Sequence, residues 1–262
     1  MKILFWNLKK NSIEKWLEEL IKEQDIDIVI LAEYDGISMQ QLLNDLHGDY
    51  KQYDGYDYCK KITLIAKNDI SVTVKREQGR YVLYSVTTAN SAYIIAGIHL
   101  SAKPYADTNT RKCEIRTLVQ DICELENKEK SWKTVVIGDF NCNPFDEELI
   151  QKDSFNTVLF KKVIEKHEFV VYCGRKYRRF YNPIINYLKE ETETYGSYYY
   201  SAGSAPLIWN CFDQILVRKI MRNSIGNIEY CKSINGKRLL KDVRPNFRIS
   251  DHLPLVCEIM EG

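Results

Sequence analysis

No stretch of this chain approaches the roughly 18 consecutive apolar residues that a membrane-spanning helix needs. Its opening, MKILFWNLKK, holds one short apolar run and no small-residue cleavage site. A secretory leader is therefore not expected, and a cytoplasmic location is. An excess of one charge sign is also missing. Thirty-seven Lys and Arg stand against 36 Asp and Glu, so bulk charge selects no polyanionic partner, and any nucleic-acid contact needs a local basic patch. Eight cysteines are present, but no two form a CxxC pair, which argues against a zinc ribbon. Several lie inside apolar strand- or helix-like patterns and are expected to be reduced core thiols. Repeats and low-complexity linkers are lacking too. The 262 residues therefore read as one domain, 1–262, with a sizeable core.

What is present is a series of short β-branched and aromatic runs. Strands are expected over 2–6, 27–31, 62–66, 71–75, 81–86, 92–100, 134–138, 212–217, 225–231 and 253–259. Helical spacing marks 12–24, where Ile13, Trp16, Leu17, Leu20 and Ile21 share a face and Ser12 is a candidate cap. It also marks 110–126, and a third helix is expected over 155–167. Consecutive strands interrupt any regular βα alternation, which disfavours a doubly wound sheet or a (β/α)8 barrel. Two mixed sheets packed face to face, with helices outside, fit better. The Tyr-rich segment 172–210 stands apart and is expected to contain a long loop.

Many of the apolar runs border on polar groups of one chemical kind. The first ends at Asn7, the second at Glu33, another at His99, and VVIGDFN at Asp139 and Asn141. Asp213 opens a later run, and Asp251 and His252 precede the last. Singly, each is most simply a turn or surface residue. If the run ends share one rim of a sheet, they assemble hard oxygen ligands suited to Mg2+ or Mn2+. Two histidines beside carboxylates then suit proton transfer.

Taken in order, WN, the Glu33 motif, GDFN, FDQILV and SDHLPL resemble the endonuclease/exonuclease/phosphatase superfamily, whose members include deoxyribonuclease-like enzymes. FYNPIINYL and WNCFDQILV are further similar to a bacterial branch of it. The resemblance implies an α/β fold, a four-layer α/β sandwich of two mostly antiparallel mixed sheets with helices outside. It implies a metal-dependent phosphodiester hydrolase, most readily a nuclease on DNA or RNA and acting as a monomer. Glu33 looks like the principal metal ligand, supported by Asn7 and Asp251. Asp139 looks like the residue that orients or deprotonates the attacking water, with Asn141 beside it at the phosphate. Asp213 looks like the partner that orients His252, and His252 like the contact to the scissile phosphate. His99 matches the branch with histidine after this strand, not the tyrosine of abasic-site enzymes. Arg116 falls on a helix where relatives often carry arginine, and a salt bridge is an equal reading.

Two basic stretches remain. Arg175, Lys176, Arg178 and Arg179, with Tyr177, Phe180 and Tyr181, are candidates to grip a nucleic-acid backbone, or else form a solvated loop. Lys237, Arg238, Lys241, Arg244 and Arg248 lead into SDH and either line the same cleft or form a polar hairpin. His47 and His167 match no motif. A phosphatase or phosphodiesterase on small phosphates or phospholipid head groups is the alternative function, since the same core would serve it. A non-catalytic binding module is disfavoured by the intact acidic and histidine set.

Overall fold

The computed structural model describes residues 1–187, 194–202 and 207–261. The chain opens β1 (Lys2–Asn7), α1 (Glu14–Gln24), β2 (Ile28–Ala32), α2 (Met39–Asp45), β3 (Tyr50–Asp54) and β4 (Ile62–Lys67). Next come β5 (Ser71–Gln78), β6 (Tyr81–Thr87), β7 (Ala92–His99), α3 (Thr108–Glu129), β8 (Thr134–Asp139), α4 (Glu147–Ile150) and α5 (Lys161–Lys166). A hairpin of β9 (Phe169–Tyr172) and β10 (Arg175–Arg178) precedes β11 (Phe180–Tyr181), β12 (Tyr198–Tyr199), β13 (Trp209–Asn210), β14 (Asp213–Arg218) and β15 (Ile225–Tyr230). Two small hairpins, β16 (Ser233–Ile234) with β17 (Lys237–Arg238) and β18 (Leu240–Lys241) with β19 (Arg244–Pro245), lead to β20 (Leu255–Ile259).

Two six-stranded mixed sheets carry the fold, in the orders β15-β20-β1-β2-β4-β3 and β11-β14-β8-β7-β6-β5. They pack face to face, and alternation along each strand explains how. In β6, Val82, Tyr84 and Val86 join the core between the sheets, while Tyr81 and Leu83 join a second core. The second core is completed by Ile115, Leu118 and Ile122 of α3. On the other side, α1 buries Leu17, Leu20 and Ile21 against the first sheet. This is the expected α/β sandwich.

Two glycines permit the sheets and strands to close up near one pole. A Cβ on Gly97 would lie 2.9 Å from Ile62 and 3.1 Å from Ile30 of the facing sheet. On Gly138, at φ +155°, it would lie 2.1 Å from the Ile98 carbonyl oxygen.

Several expectations need correction. Residues 155–160 are not helical. Val158 donates to the Phe180 carbonyl at 2.9 Å and Asn182 donates to that of Val158 at 2.9 Å, so the segment edges β11. Ser12 does not cap α1. Its hydroxyl bonds Glu14 at 2.9 Å, and Ile13 holds the cap position. The segment 172–210 carries the short strands β10 to β13, and the long loop expected within it falls partly on residues 188–193 and 203–206, which lie outside the described residues. Five cysteines are buried, whereas Cys113 and Cys173 are exposed and Cys123 is intermediate.

Candidate active site

The register of the second sheet assembles the site. His99 pairs with Asp139 across the parallel β7–β8 ladder, and Asp139 with Asp213 across the antiparallel β8–β14 ladder. Three strands thus end in one polar row. Each of the three side chains also falls on the face turned toward the other sheet. Val135 and Ile137 of β8, and Ile215 and Val217 of β14, alternate with the second-core residues and belong to the inter-sheet core. Asp139 and Asp213 continue those rows. The inter-sheet core therefore turns from apolar to ionisable at one pole.

The first sheet meets this row from across the seam. Asn7 ends β1 opposite Ala32 of β2, and Glu33 follows directly. The Asn7 amide donates to Asp139 Oδ2 at 3.2 Å, joining the sheets, and Asn7 Oδ1 accepts from the Lys9 N–H at 3.0 Å. Glu33 has φ +48° and Asn141 φ +50°. Asparagine tolerates that left-handed conformation, but for glutamate it costs roughly 1–2 kcal/mol. It brings the Glu33 carboxylate 3.6 Å from His99 Nε2, which is itself 3.8 Å from Asp139 Oδ2. The final loop is tied in by Ser250, whose hydroxyl donates to the Asn7 carbonyl at 2.6 Å and accepts the His252 N–H at 3.0 Å. The Trp6 indole N–H donates to the His252 carbonyl at 2.9 Å.

His252 Nδ1 donates to Asp213 Oδ2 at 2.7 Å, and its Nε2 lies 3.9 Å from Asp139 Oδ2. Burial opposes the imidazolium, but Asp213, Asp139 and Asp251 together outweigh it and lift the pKa to about 10. His99 behaves oppositely. Burial lowers its pKa, Asp139 resists, and the cations Lys61, Arg80 and His252 push it down further. Asp139 is raised, chiefly by burial and also by Asp213, against the pull of His252, His99 and the Asn141 N–H. Two histidines flanking one carboxylate thus have their proton affinities driven apart, a pattern typical of acid–base sites.

Asp139, Asp213 and His252 place ligand atoms within 4.8 Å of one another, but His252 and Asp213 are already bonded to each other. The Asn7, Glu33 and Asp251 side chains offer oxygens, the ligand type of Mg2+ or Mn2+, with Asn7 Oδ1 accepting the Lys9 N–H and Asp251 lying 3.6 Å from Lys9 Nζ. Buried Asp213 Oδ1 and His99 Nδ1 lack partners, so the pocket retains polar capacity that a ligand or water must meet.

Three of the residues singled out as substrate contacts are not brought to this cluster. Arg116 pairs with Asp153 at 2.7 Å on the outer face of α3. Arg178 and Arg179 offer their carbonyls to Arg218, at the end of β14 opposite Asp213. The Arg178 guanidinium lies over Trp132 and Phe169 and beside Glu168. Other residues escaped the sequence reading. Arg111, nearly fully buried, donates to the Asn141 carbonyl at 2.8 Å and pairs with Glu148 at 3.0 Å, fixing the GDFN turn from α3. The Tyr198 ring sits 4.9 Å from the His252 ring. Glu77 accepts the N–H groups of Asp57, Tyr58 and Cys59, and so holds the loop that carries Lys61 toward the site.

Comparison with known proteins decides the lineage. The Endonuclease/Exonuclease/phosphatase family model matches residues 4–252. The chain belongs to that family. Its fold matches the endonuclease domain of TRAS1, a telomere-specific non-LTR retrotransposon, at 11% identity and TM-score 0.55, covering 98% of this chain and 97% of that one. It also matches D. rerio TDP2 complexed with single strand DNA product at 16% identity and TM-score 0.56, covering 98% and 97%. The 3' phosphatase NExo from Neisseria, bound to a product DNA hairpin, matches at 15% identity and TM-score 0.56, covering 99% of each chain. Among curated protein sequences no relative is found. Membership and geometry agree on a hydrolase of phosphoester bonds.

Proposed function

We propose that this family member is a divalent-metal-dependent phosphodiesterase that cleaves nucleic acid. The observation that carries the reading is the in-register row His99–Asp139–Asp213, closed by His252 and faced across the seam by Asn7 and Glu33. Glu33, with Asn7 and Asp251, would hold the metal, which when bound offsets charge developing on the phosphate oxygens. Asp139 orients the attacking water and draws its proton, since the Asn141 N–H at 2.8 Å and the Asn7 amide fix its carboxylate. His252, held protonated by Asp213, presents Nε2 toward Asp139 and supplies positive charge where the scissile phosphate would lie. Neutral His99 is free to donate or accept one hydrogen bond at the same oxygen cluster. The DNA products named in the TDP2 and NExo structures support a nucleic-acid substrate.

The test is incubation of purified protein with plasmid, single-stranded DNA, RNA and bis(p-nitrophenyl) phosphate. Each is run with magnesium, manganese or chelator, beside Asp139→Asn. Cleavage that requires metal and Asp139 and prefers a polymer is the expected result. Turnover of small phosphates alone would move the substrate class, and undiminished turnover in Asp139→Asn would overturn the assigned role.

A further inference from the structure

The excursion 231–248 between β15 and β20 does more than connect two strands. Its last residues return to the site pole. The Asn11 amide donates to the carbonyls of Phe247 and Ile249 at 3.2 and 3.0 Å, and Ser250 is bonded to Asn7. From Asp251 a chain of contacts leads outward. Lys9 Nζ lies 3.6 Å from Asp251 and 4.2 Å from the centre of the Phe247 ring. The Arg244 guanidinium lies 5.4 Å from that same centre. Lys241 faces Arg244 across the β18–β19 hairpin, and Arg248 follows Phe247.

The charge state of this shelf is uneven. Residues 237–248 carry Lys237, Arg238, Lys241, Arg244 and Arg248 against one acid, Asp242. Lys237 is engaged by Glu19 at 3.1 Å. Lys241, Arg244 and Arg248 are exposed and, among the described residues, have no carboxylate within ion-pair distance. Phe247 is 41% exposed. On the site side the shelf continues into β12, where Tyr198 covers His252 and Tyr200 just beyond is exposed.

We propose that Lys241, Arg244, Phe247 and Arg248 form a track for a single strand of nucleic acid leading into the catalytic pole. The cations match successive phosphates, and the exposed ring, flanked by cations, matches an unpaired base. A duplex keeps its base faces stacked and offers nothing to that ring. An isolated phosphate would use one cation and leave the rest unmatched. The idea deepens the phosphodiesterase reading, because a substrate held outside the site contributes affinity without touching the reacting atoms.

The experiment compares the parent protein with Lys241→Gln/Arg244→Gln/Arg248→Gln and, separately, with Phe247→Ala. Binding of a fluorescent single-stranded DNA of about 20 nucleotides is measured in chelator at several salt concentrations, beside the matching duplex. Turnover of bis(p-nitrophenyl) phosphate with metal is followed in parallel. The triple variant is expected to bind the single strand about tenfold or more weakly, with a salt slope lower by about two, as loss of three phosphate contacts requires. Phe247→Ala should weaken the single strand more than the duplex. Small-substrate turnover should be unchanged in both. Equal affinity and slope in the triple variant, equal loss on the duplex with Phe247→Ala, or a parent that binds no single strand would overturn the track. A parent that binds the strand in chelator but, once metal is added, hydrolyses neither that strand nor bis(p-nitrophenyl) phosphate would instead overturn the phosphodiesterase reading.

Discussion

The two poles of the sandwich are built from the same residue types and treat charge in opposite ways. At the pole away from the site, the most deeply buried charge meets its complement. Arg218 bonds Glu126 at 2.8 and 3.1 Å, with both side chains 1% exposed, and Thr134 donates to Glu126 at 2.6 Å. The Phe180 ring lies under the Arg218 guanidinium at 3.7 Å. In the first sheet, Lys67 bridges Asp25 and Asp27 at 2.7 and 2.8 Å. At the site pole, Glu33, Asp139, Asp213 and Asp251 converge on two histidines, and buried polar atoms remain unmatched. One pole is wired for stability. The other leaves Asp213 Oδ1 and His99 Nδ1 without partners, a capacity that a ligand would use.

The comparison predicts that substitutions at the two poles separate activity from stability. The largest effect is expected for Asp213→Asn. Phosphodiesterase turnover should fall roughly a thousandfold, within the range of acid–base contributions, while the chain still folds, with a lower melting temperature because the buried His252 imidazolium loses its partner. A large melting loss with preserved turnover would erase the distinction between the poles. The mirror experiment is Glu126→Gln at the far pole. Leaving Arg218 buried without its partner should cost about 3–5 kcal/mol in denaturant unfolding, with turnover per folded molecule retained.

A third expectation concerns protons. His252 has its folded pKa raised above the unfolded value, so it contributes stability that is fully present below about pH 6.5. That contribution is lost as pH rises through its folded value of about 10. In metal-free protein, the His252 ring should stay protonated by NMR across neutral pH, and in Asp213→Asn it should release its proton at lower pH. An unmoved titration would mean that Asp213 does not govern it. The smallest effect is expected for Asp25→Asn. This carboxylate is 82% exposed, so screening should hold the loss below about 1 kcal/mol, which chemical denaturation resolves.

Much of the site was legible in the sequence because it follows from strand rhythm. A β-branched run that stops or starts at a carboxylate or histidine marks a strand end, as VVIGDFN, IIAGIHL and FDQILV do. What spacing could not supply was register. That His99, Asp139 and Asp213 lie abreast depends on how three strands are paired, not on any one of them. Cross-chain contacts were equally silent. Tyr198 reads as one tyrosine in a run of three, and Arg111 as one cation on a polar helix face. Arg178 and Arg179 misled for a related reason. Composition reported their charge but not that β11 binds to the Arg218 end of β14. The strand β3, with sequence YKQYD, was missed because an edge strand needs no apolar run.

The place of β20 has a consequence for folding. It lies between β15 and β1, so Leu255 pairs with Phe5 across almost the whole length of the chain. Contacts so distant in sequence close slowly, because the loop entropy must be lost before they form. The loop that docks with this strand is the one that delivers Asp251 and His252. A chain folded everywhere except at this seam would have most of its helices and sheets but no complete reaction centre. Assembly of the complete site therefore requires this long-range sheet closure.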